Sequence, residues 1–351
     1  MIMESSPAVK FEIIRETTRR DDNLLNINWL CEIAGVSRAG YYKWLAAEKK
    51  RGEIEEQDRE DFALILTAYQ FRGYDKGASG IYMRLLHLNP PVVMNIKKIR
   101  RLMRKYHLHC PIRKPNPYKR FAKALRTSKV APNLLNRQFR AYGARTVLLT
   151  DITYIARGGN KFSYLSVIMD AYTKEVLAHV LSASLEVDFV LITVQLLMEK
   201  HGGELKTDAL IHSDQGTHYT STKFVEIIAN SELRQSMSRK GNCWDNAPQE
   251  SFFGHMKDHV IINASDQHHD IARKISDWIE YYNNDRYQWQ LARLSPSGFY
   301  QYIQTGNYPL PIEPPPLPET MELVLPSSDG TETPIPDTPI VIEGDATNDT
   351  D

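Results

Sequence analysis

A change in periodicity at Thr146 constrains this chain most. Upstream, apolar residues recur at helical spacing; from Val147 they come as short runs rich in β-branched residues. Val147 to Tyr154, Phe162 to Tyr172 and Val176 to Ser182 read as the strands of a meander, with Gly158-Gly159-Asn160 as a turn between the first two. Val187 to Lys200 is then expected as a helix, Ala209 to His212 as a short buried strand, Thr222 to Asn230 as a helix and Arg234 to Met237 as a short strand. A further helix opens near Asp245. The order β-β-β-α-β-α-β-α describes an α/β fold, a mixed five-stranded sheet with helices on its faces.

Carboxylates mark the ends of this pattern. Asp151 sits on the first strand, in Leu148-Leu149-Thr150-Asp151-Ile152-Thr153-Tyr154, and Asp214 just past the fourth, in Ile211-His212-Ser213-Asp214-Gln215-Gly216. For these two to meet, their strands must be neighbours. Thirty-five residues separate Asp214 from Glu250, which opens that further helix, and Lys257 lies seven beyond Glu250, close to two helical turns and so on the same face. Strand ends and a helix can then aim three anionic oxygens at one point, the donor set of a hard divalent cation, while Lys257 meets a phosphate. Phosphodiester cleavage requires an activated nucleophile, a stabilised leaving oxygen and neutralised phosphoryl charge. Two Mg²⁺ ions about 4 Å apart do all three, with Mn²⁺ substituting. Asp151 is expected to bridge both ions, and Asp214 and Glu250 each to hold one.

Each of these residues also has a plainer use. An isolated Asp after a strand is more often a turn or cap residue than a ligand, and only the three together carry the metal reading. Asp170, which ends another apolar strand, competes for a ligand role, with turn stabilisation the commoner outcome. His212 and Asn246 are candidates to orient a ligating carboxylate, although a satisfied structural histidine is more usual. Lys257 can equally be a solvated helix residue. Phe252, Phe253, Trp278, Tyr281 and Tyr282 read as core before they read as base-stacking platforms.

The formal net charge of zero hides strong segregation. Lys76 to Thr150 holds 18 Lys or Arg with no Asp or Glu, and Leu310 to Asp351 holds ten acids with no base. Ordinary surfaces intersperse both signs, so the basic block implies a polyanionic partner, nucleic acid ahead of a membrane surface. Its centre is a helix near Asn95 in which Ile96, Ile99, Leu102 and Met103 form one side and Lys97, Lys98, Arg100, Arg101, Arg104 and Lys105 project from the rest. As the third helix of a three-helix unit it suits a major groove, though a helix touching only phosphates reads the same. Arg239 and Lys240 are further candidates for DNA contact.

Ahead of that unit, Trp29, Leu30, Ile33, Ala34 and Val36 give an apolar face that breaks at Gly35. Ser37 then caps a helix carrying Tyr41, Tyr42, Trp44 and Leu45, an order that resembles a helix-turn-helix and equally a plain helical hairpin. The first ordered unit is expected to start near Leu24, with Glu48 to Glu60 as a charged connector. The organisation is therefore read as 1–58 helix-turn-helix-like, 59–110 a basic three-helix domain, 111–140 a basic linker, 141–308 the catalytic core, and 309–351 a disordered acidic, Pro-rich tail. Cys31, Cys110 and Cys243 form no Cys-x-x-Cys pair, and no apolar run approaches the roughly 20 residues of a membrane span, which suggests a reduced, cytoplasmic protein.

The segments His212-Ser213-Asp214-Gln215-Gly216-Thr217-His218-Tyr219 and Ser238-Arg239-Lys240-Gly241-Asn242-Cys243-Trp244-Asp245-Asn246-Ala247-Pro248-Gln249-Glu250-Ser251-Phe252-Phe253, with Lys257, resemble the catalytic region of IS3-family insertion-sequence transposases. Asp151 in Thr150-Asp151-Ile152-Thr153-Tyr154 matches that family's first catalytic Asp, and Tyr282-Asn283-Asn284-Asp285-Arg286 with Leu294-Ser295-Pro296 its C-terminal signature. The likeness covers Asn23 to Tyr302. It implies an RNase H-like (integrase) core, Mg²⁺ dependence, cleavage at element ends and strand transfer by a 3′-hydroxyl into double-stranded target DNA. It also implies a homo-oligomer on DNA and an upstream OrfA-type product, separate or fused by frameshifting. Arg286-Tyr287-Gln288-Trp289-Gln290-Leu291 departs from the Arg-x-His-Ser-Ala-Leu of many members, and the acidic tail lies outside the pattern. His107, His109 and Cys110 lack the second cysteine of a zinc module. The rival readings are a nuclease with the same carboxylates that releases cut ends, and an inactive DNA-binding regulator.

Overall fold

The strand-rich stretch forms the sheet that its spacing requires. The computed structural model describes residues 5–73, 77–110, 141–157, 161–238, 247–263 and 265–321. The Gly158-Gly159-Asn160 turn, Cys243, the linker from 111 to 140 and the tail from 322 onward lie outside the described residues. The chain divides into two compact units, one of 1–113, 287–293 and 308–314, the other of 114–286, 294–307 and 315–351.

The second unit holds the sheet. Strands β1 (Val147–Arg157), β2 (Lys161–Asp170), β3 (Val176–Ser182), β4 (Leu210–Ser213) and β5 (Arg234–Met237) lie in the order β3-β2-β1-β4-β5. β1, β2 and β3 form the antiparallel meander, and β4 and β5 add in parallel on the other edge of β1. The strands that carry Asp151 and precede Asp214 are thus neighbours, as the metal reading requires. This is the mixed sheet of an RNase H-like core.

Alternation along β1 gives the sheet two apolar faces. Leu148 joins Ile168 and Ile211 under helices α7 (Asp188–His201) and α8 (Thr222–Asn230), whose Val190, Val194, Leu197, Phe224 and Ile228 are buried with them. Val147, Leu149, Leu210 and Ala171 form a separate buried cluster. Helix α9 (Ala247–His259) packs on β1, and helix α10 (His268–Asn284) on β3. Phe252 meets Trp278 at 5.3 Å and Tyr282 at 4.9 Å between ring centroids, so these aromatics are core. Asn283, in the Tyr-Asn-Asn signature, brackets the start of β3, its Oδ1 accepting from Val176 N at 2.9 Å and its Nδ2 donating to Val176 O at 2.8 Å. Helix α11 (Pro296–Thr305) completes this unit, capped by Ser295 Oγ, which accepts from Gly298 N at 3.2 Å.

The first unit is helical and differs from expectation in three respects. A helix, α1 (Pro7–Thr18), precedes the expected start near Leu24; its Ile14 is buried against Leu30, Cys31, Ala34 and Tyr41. Helices α2 (Ile27–Ala34) and α3 (Arg38–Ala46) turn at Gly35 in the left-handed region (φ 64°), and Ser37 Oγ accepts from Gly40 N at 3.0 Å. Because Leu30, Cys31 and Ala34 form the buried stripe of α2, Trp29 and Ile33 fall on its other side, 57% and 62% exposed rather than in the core. The presumed connector is the first half of a single helix, α4 (Glu48–Gln70), which joins α5 (Ala78–Leu86) and α6 (Ile96–Lys105) around Ile65, Ala68, Ile81, Leu85, Ile99 and Leu102.

The acidic tail is not disordered from its start. Leu310 is buried, and Met321 N donates to Ala141 O, so the described part to Met321 is tied down by an apolar anchor and a backbone hydrogen bond that its composition conceals. Among the described residues no helix is long and apolar enough to cross a membrane.

Candidate active site

Parallel pairing of β1 with β4 keeps a constant offset of 63 residues: Val147 faces Leu210, Leu148 faces Ile211 and Leu149 faces His212. The same offset carried two residues further sets Asp151 abreast of Asp214. Asp151 is half-buried and Asp214 exposed at the open end of the sheet. The loop after β4 is tightly held. Asp214 Oδ1 accepts from Gly216 N at 2.9 Å, and a Cβ on Gly216 would stand 2.9 Å from that same oxygen, so any side chain there would displace the carboxylate from this turn. Gln215 Nε2 donates to Ser238 O at 3.0 Å, and Ser238 N to Ser213 O at 2.8 Å, which fastens the loop to the end of β5.

Glu250 comes from the other side, in the first turn of α9. The preceding residue explains why it is there. Gln249 is fully buried and donates Nε2 to Val167 O at 2.9 Å, and Val167 is the residue of β2 paired with Asp151. A buried amide thus pins the N-terminus of α9 at the level of Asp151. From that point the helix runs alongside β1, since Met256 and Lys257 line one cleft with Tyr154, Ile155 and Ala156 further along the strand. Gln249 was missed by sequence reasoning; a polar residue on the inward side of a helix's first turn is the only signal it leaves.

Beneath the two aspartates Tyr219 is 1% exposed, its hydroxyl 3.4 Å from Thr150 Oγ1. Burial raises its phenol well above the ordinary range, and the charges of Asp151 and Asp214 push it the same way. His212 points across to β5, with Nδ1 2.9 Å from Ser236 Oγ, its register partner. Asn246, Arg239 and Lys240 lie outside the described residues.

The donor set is all carboxylate oxygen, which fits a hard divalent cation, and the backbone brings strand, strand end and helix turn together. The side chains as they stand do not close on one point: among the described residues no group of three His, Cys, Asp or Glu could hold a metal ion. Asp170 has a different task. It is 0% exposed and accepts from the backbone of Arg145, Tyr172 and Thr173 and from Arg145 Nη1 at 3.1 Å, so it stabilises a turn and a buried ion pair.

The basic helix α6 has two sides. Arg101 donates to both oxygens of Asp58 at 2.7 and 2.8 Å, Lys105 reaches Asp58 at 2.8 Å and Glu55 at 2.6 Å, and Lys98 pairs with Asp61, all across to α4. The hydrogen bonds from Arg101 and Lys105 hold Asp58 well below the usual carboxylate range. Lys97, Arg100 and Arg104 form the other stripe, exposed and without an ion pair among the described residues. Half of the expected six-base face is therefore consumed inside the unit.

Residues 141–243 and 231–296 match the integrase core domain. The chain is 29% identical over 272 residues to a 31 kDa protein of insertion element IS600 from Shigella sonnei, covering 77% of this chain and 97% of that one. It is 32% identical over 206 residues to the InsK protein of insertion sequence element IS150 from Escherichia coli K12, covering 58% and 70%. With the transposase InsF of IS3A from the same organism it shares 27% identity over 281 residues, covering 78% and 93%.

Proposed function

This chain belongs to the IS3 family of insertion-sequence transposases, and we propose that Asp151, Asp214 and Glu250 are the ligands of its catalytic metal. The reaction is DNA transposition, a polynucleotidyl transfer that cuts a phosphodiester and joins a 3′-hydroxyl to a new one. The observation that carries the assignment is the shared level of Asp151, Asp214 and the Gln249 anchor, reached from three separate elements. A divalent ion, Mg²⁺ or in its place Mn²⁺ and two per site in this proposal, supplies charge neutralisation at the phosphate and an acidified nucleophile when bound.

The chain's own residues do the rest. Asp151 is carried on paired backbone, Asp214 just past the end of β4, and exposed Glu250 in the first turn of α9 is the third donor. Gly216 N orients the Asp214 carboxylate, and Gln215 fastens the same loop to Ser238. Lys257, on the same face of α9 as Glu250, meets a phosphate neighbouring the one that reacts. We assign Lys97, Arg100 and Arg104 to phosphates of the duplex, which position DNA without reading its sequence. A homo-oligomer on DNA, and an OrfA-type partner or fusion supplying recognition of the element ends, belong to the same proposal.

Salt dependence tests this division of α6. Each phosphate contact contributes about 0.9 to the slope of log affinity against log salt, so replacing Lys97, Arg100 and Arg104 together by Ala should lower that slope by about 2.7. A slope unchanged by the triple substitution would remove this stripe from the DNA interface.

A further inference from the structure

Gly254 stands in the middle of helix α9, on its exposed side. Glycine is the poorest helix former after proline, because its unfolded backbone has the most freedom to lose, so a glycine inside an exposed helical turn calls for a reason. The protein itself offers none. The backbone of Gly254 is not in the left-handed region, and a Cβ built there would have nothing within 4 Å. Two glycines in other helices show the contrast. A Cβ on Gly40 would stand 2.8 Å from Ser37 Oγ, and one on Gly298 3.0 Å from Ser295 Oγ, so both leave room for a capping hydroxyl. Gly52 in α4 is as open as Gly254, which means that open surroundings carry nothing by themselves.

The place of Gly254 on the helix decides the matter. Glu250, Gly254 and Lys257 follow one another at spacings of four and three residues, which sets them in one stripe along α9, and all three are exposed. Gln249, Phe252, Phe253 and Met256 form the buried side, so the stripe is turned away from the core. Along the axis Gly254 lies about 6 Å from Glu250, and Lys257 about 10 Å. With the reacting phosphodiester at Glu250 and a neighbouring phosphate at Lys257, the strand that joins the two passes over Gly254. We propose that Gly254 is the clearance for that strand, the sugar–phosphate backbone of the element end lying on the helix backbone at a distance that no side chain would permit. This rests on the transposase reading. Glycine is the residue that lets another chain's backbone approach closely, and the helix gives up propensity at this one position to keep the strand between a metal ligand and a lysine.

The test varies side-chain volume at that position alone. Full-length Gly254→Ala and Gly254→Leu are compared with wild type by thermal unfolding, by titration without divalent metal against a labelled duplex bearing the terminal sequence of its own element, and by single-turnover cleavage of that duplex with Mg²⁺. Neither variant should unfold below the wild-type temperature, and Gly254→Ala should unfold about 2 °C above it, since the helix gains propensity. End-specific affinity should instead fall with side-chain size, about threefold for Ala and about tenfold or more for Leu, as crowding a close contact predicts, and cleavage should fall in the same order. A Gly254→Leu protein that binds and cuts as wild type does overturns the clearance alone. A lower unfolding temperature in either variant does the same, because the need for glycine would then lie inside the protein. Failure of wild type to bind or cut the end, with or without a fused upstream product, overturns the transposase reading and the clearance with it.

Discussion

Glu250→Gln is expected to lower cleavage at element ends by about 10³-fold while DNA affinity stays within about twofold. Losing one carboxylate from a metal site removes several kcal/mol of transition-state charge stabilisation, and each 1.36 kcal/mol is tenfold in rate. The amide has the shape of the acid, and the Gln249 hydrogen bond to Val167 that places the first turn of α9 is untouched. The cations assigned to DNA on α6 are untouched as well, so binding and chemistry should separate. Cleavage within tenfold of wild type, measured in single turnover with Mg²⁺, would mean that Glu250 is not a ligand.

Arg145→Ala should cost about 3–5 kcal/mol of stability, the price of leaving buried charge without its partner. Arg145 is 2% exposed and spans three acids, Asp170 at 3.1 Å, Glu175 at 2.7 Å and Glu204 at 3.1 Å, with its guanidinium 3.8 Å from the centre of the Tyr300 ring. Burial works against its charge, and Glu175 and Asp170 more than offset this. The network joins the start of β1 to the β2–β3 turn and to α11, so its loss should loosen the platform on which Asp151 stands. Urea unfolding of the variant beside wild type reads the difference directly; a loss below about 1 kcal/mol would show that the network is solvated.

Arg145 also shows where sequence reasoning reaches its limit. It stands in the acid-free block and reads there as one more cation for DNA, because its partners Asp170, Glu175 and Glu204 lie 25 to 59 residues away. The same holds for Lys98, Arg101 and Lys105, neutralised by acids of α4 more than 30 residues upstream. Charge patterning counts cations but does not see which of them a distant helix satisfies. Those same acids weaken the apolar stripe of α4, which is why its first half reads as a connector. Short-range signals fared better. Strand spacing, the Ser37 cap and the acids at strand ends are local, and the adjacency of β1 and β4 follows from them once Asp151 and Asp214 are required to meet. The burial of α1, the outward Trp29 and Ile33, and the Gln249 anchor depend on tertiary partners, and no periodicity announces them.

Strand transfer in vitro is the most direct measurement. Purified protein with Mg²⁺ or Mn²⁺ is incubated with a duplex ending in the terminal sequence of its element and with a target DNA, beside Asp151→Asn, with a fused upstream product added in a parallel series. Joined products from wild type and none from Asp151→Asn are the predicted result. Cut ends that are never joined in either series would make the chain a nuclease, and joining by Asp151→Asn at the wild-type rate would contradict the carboxylate site itself.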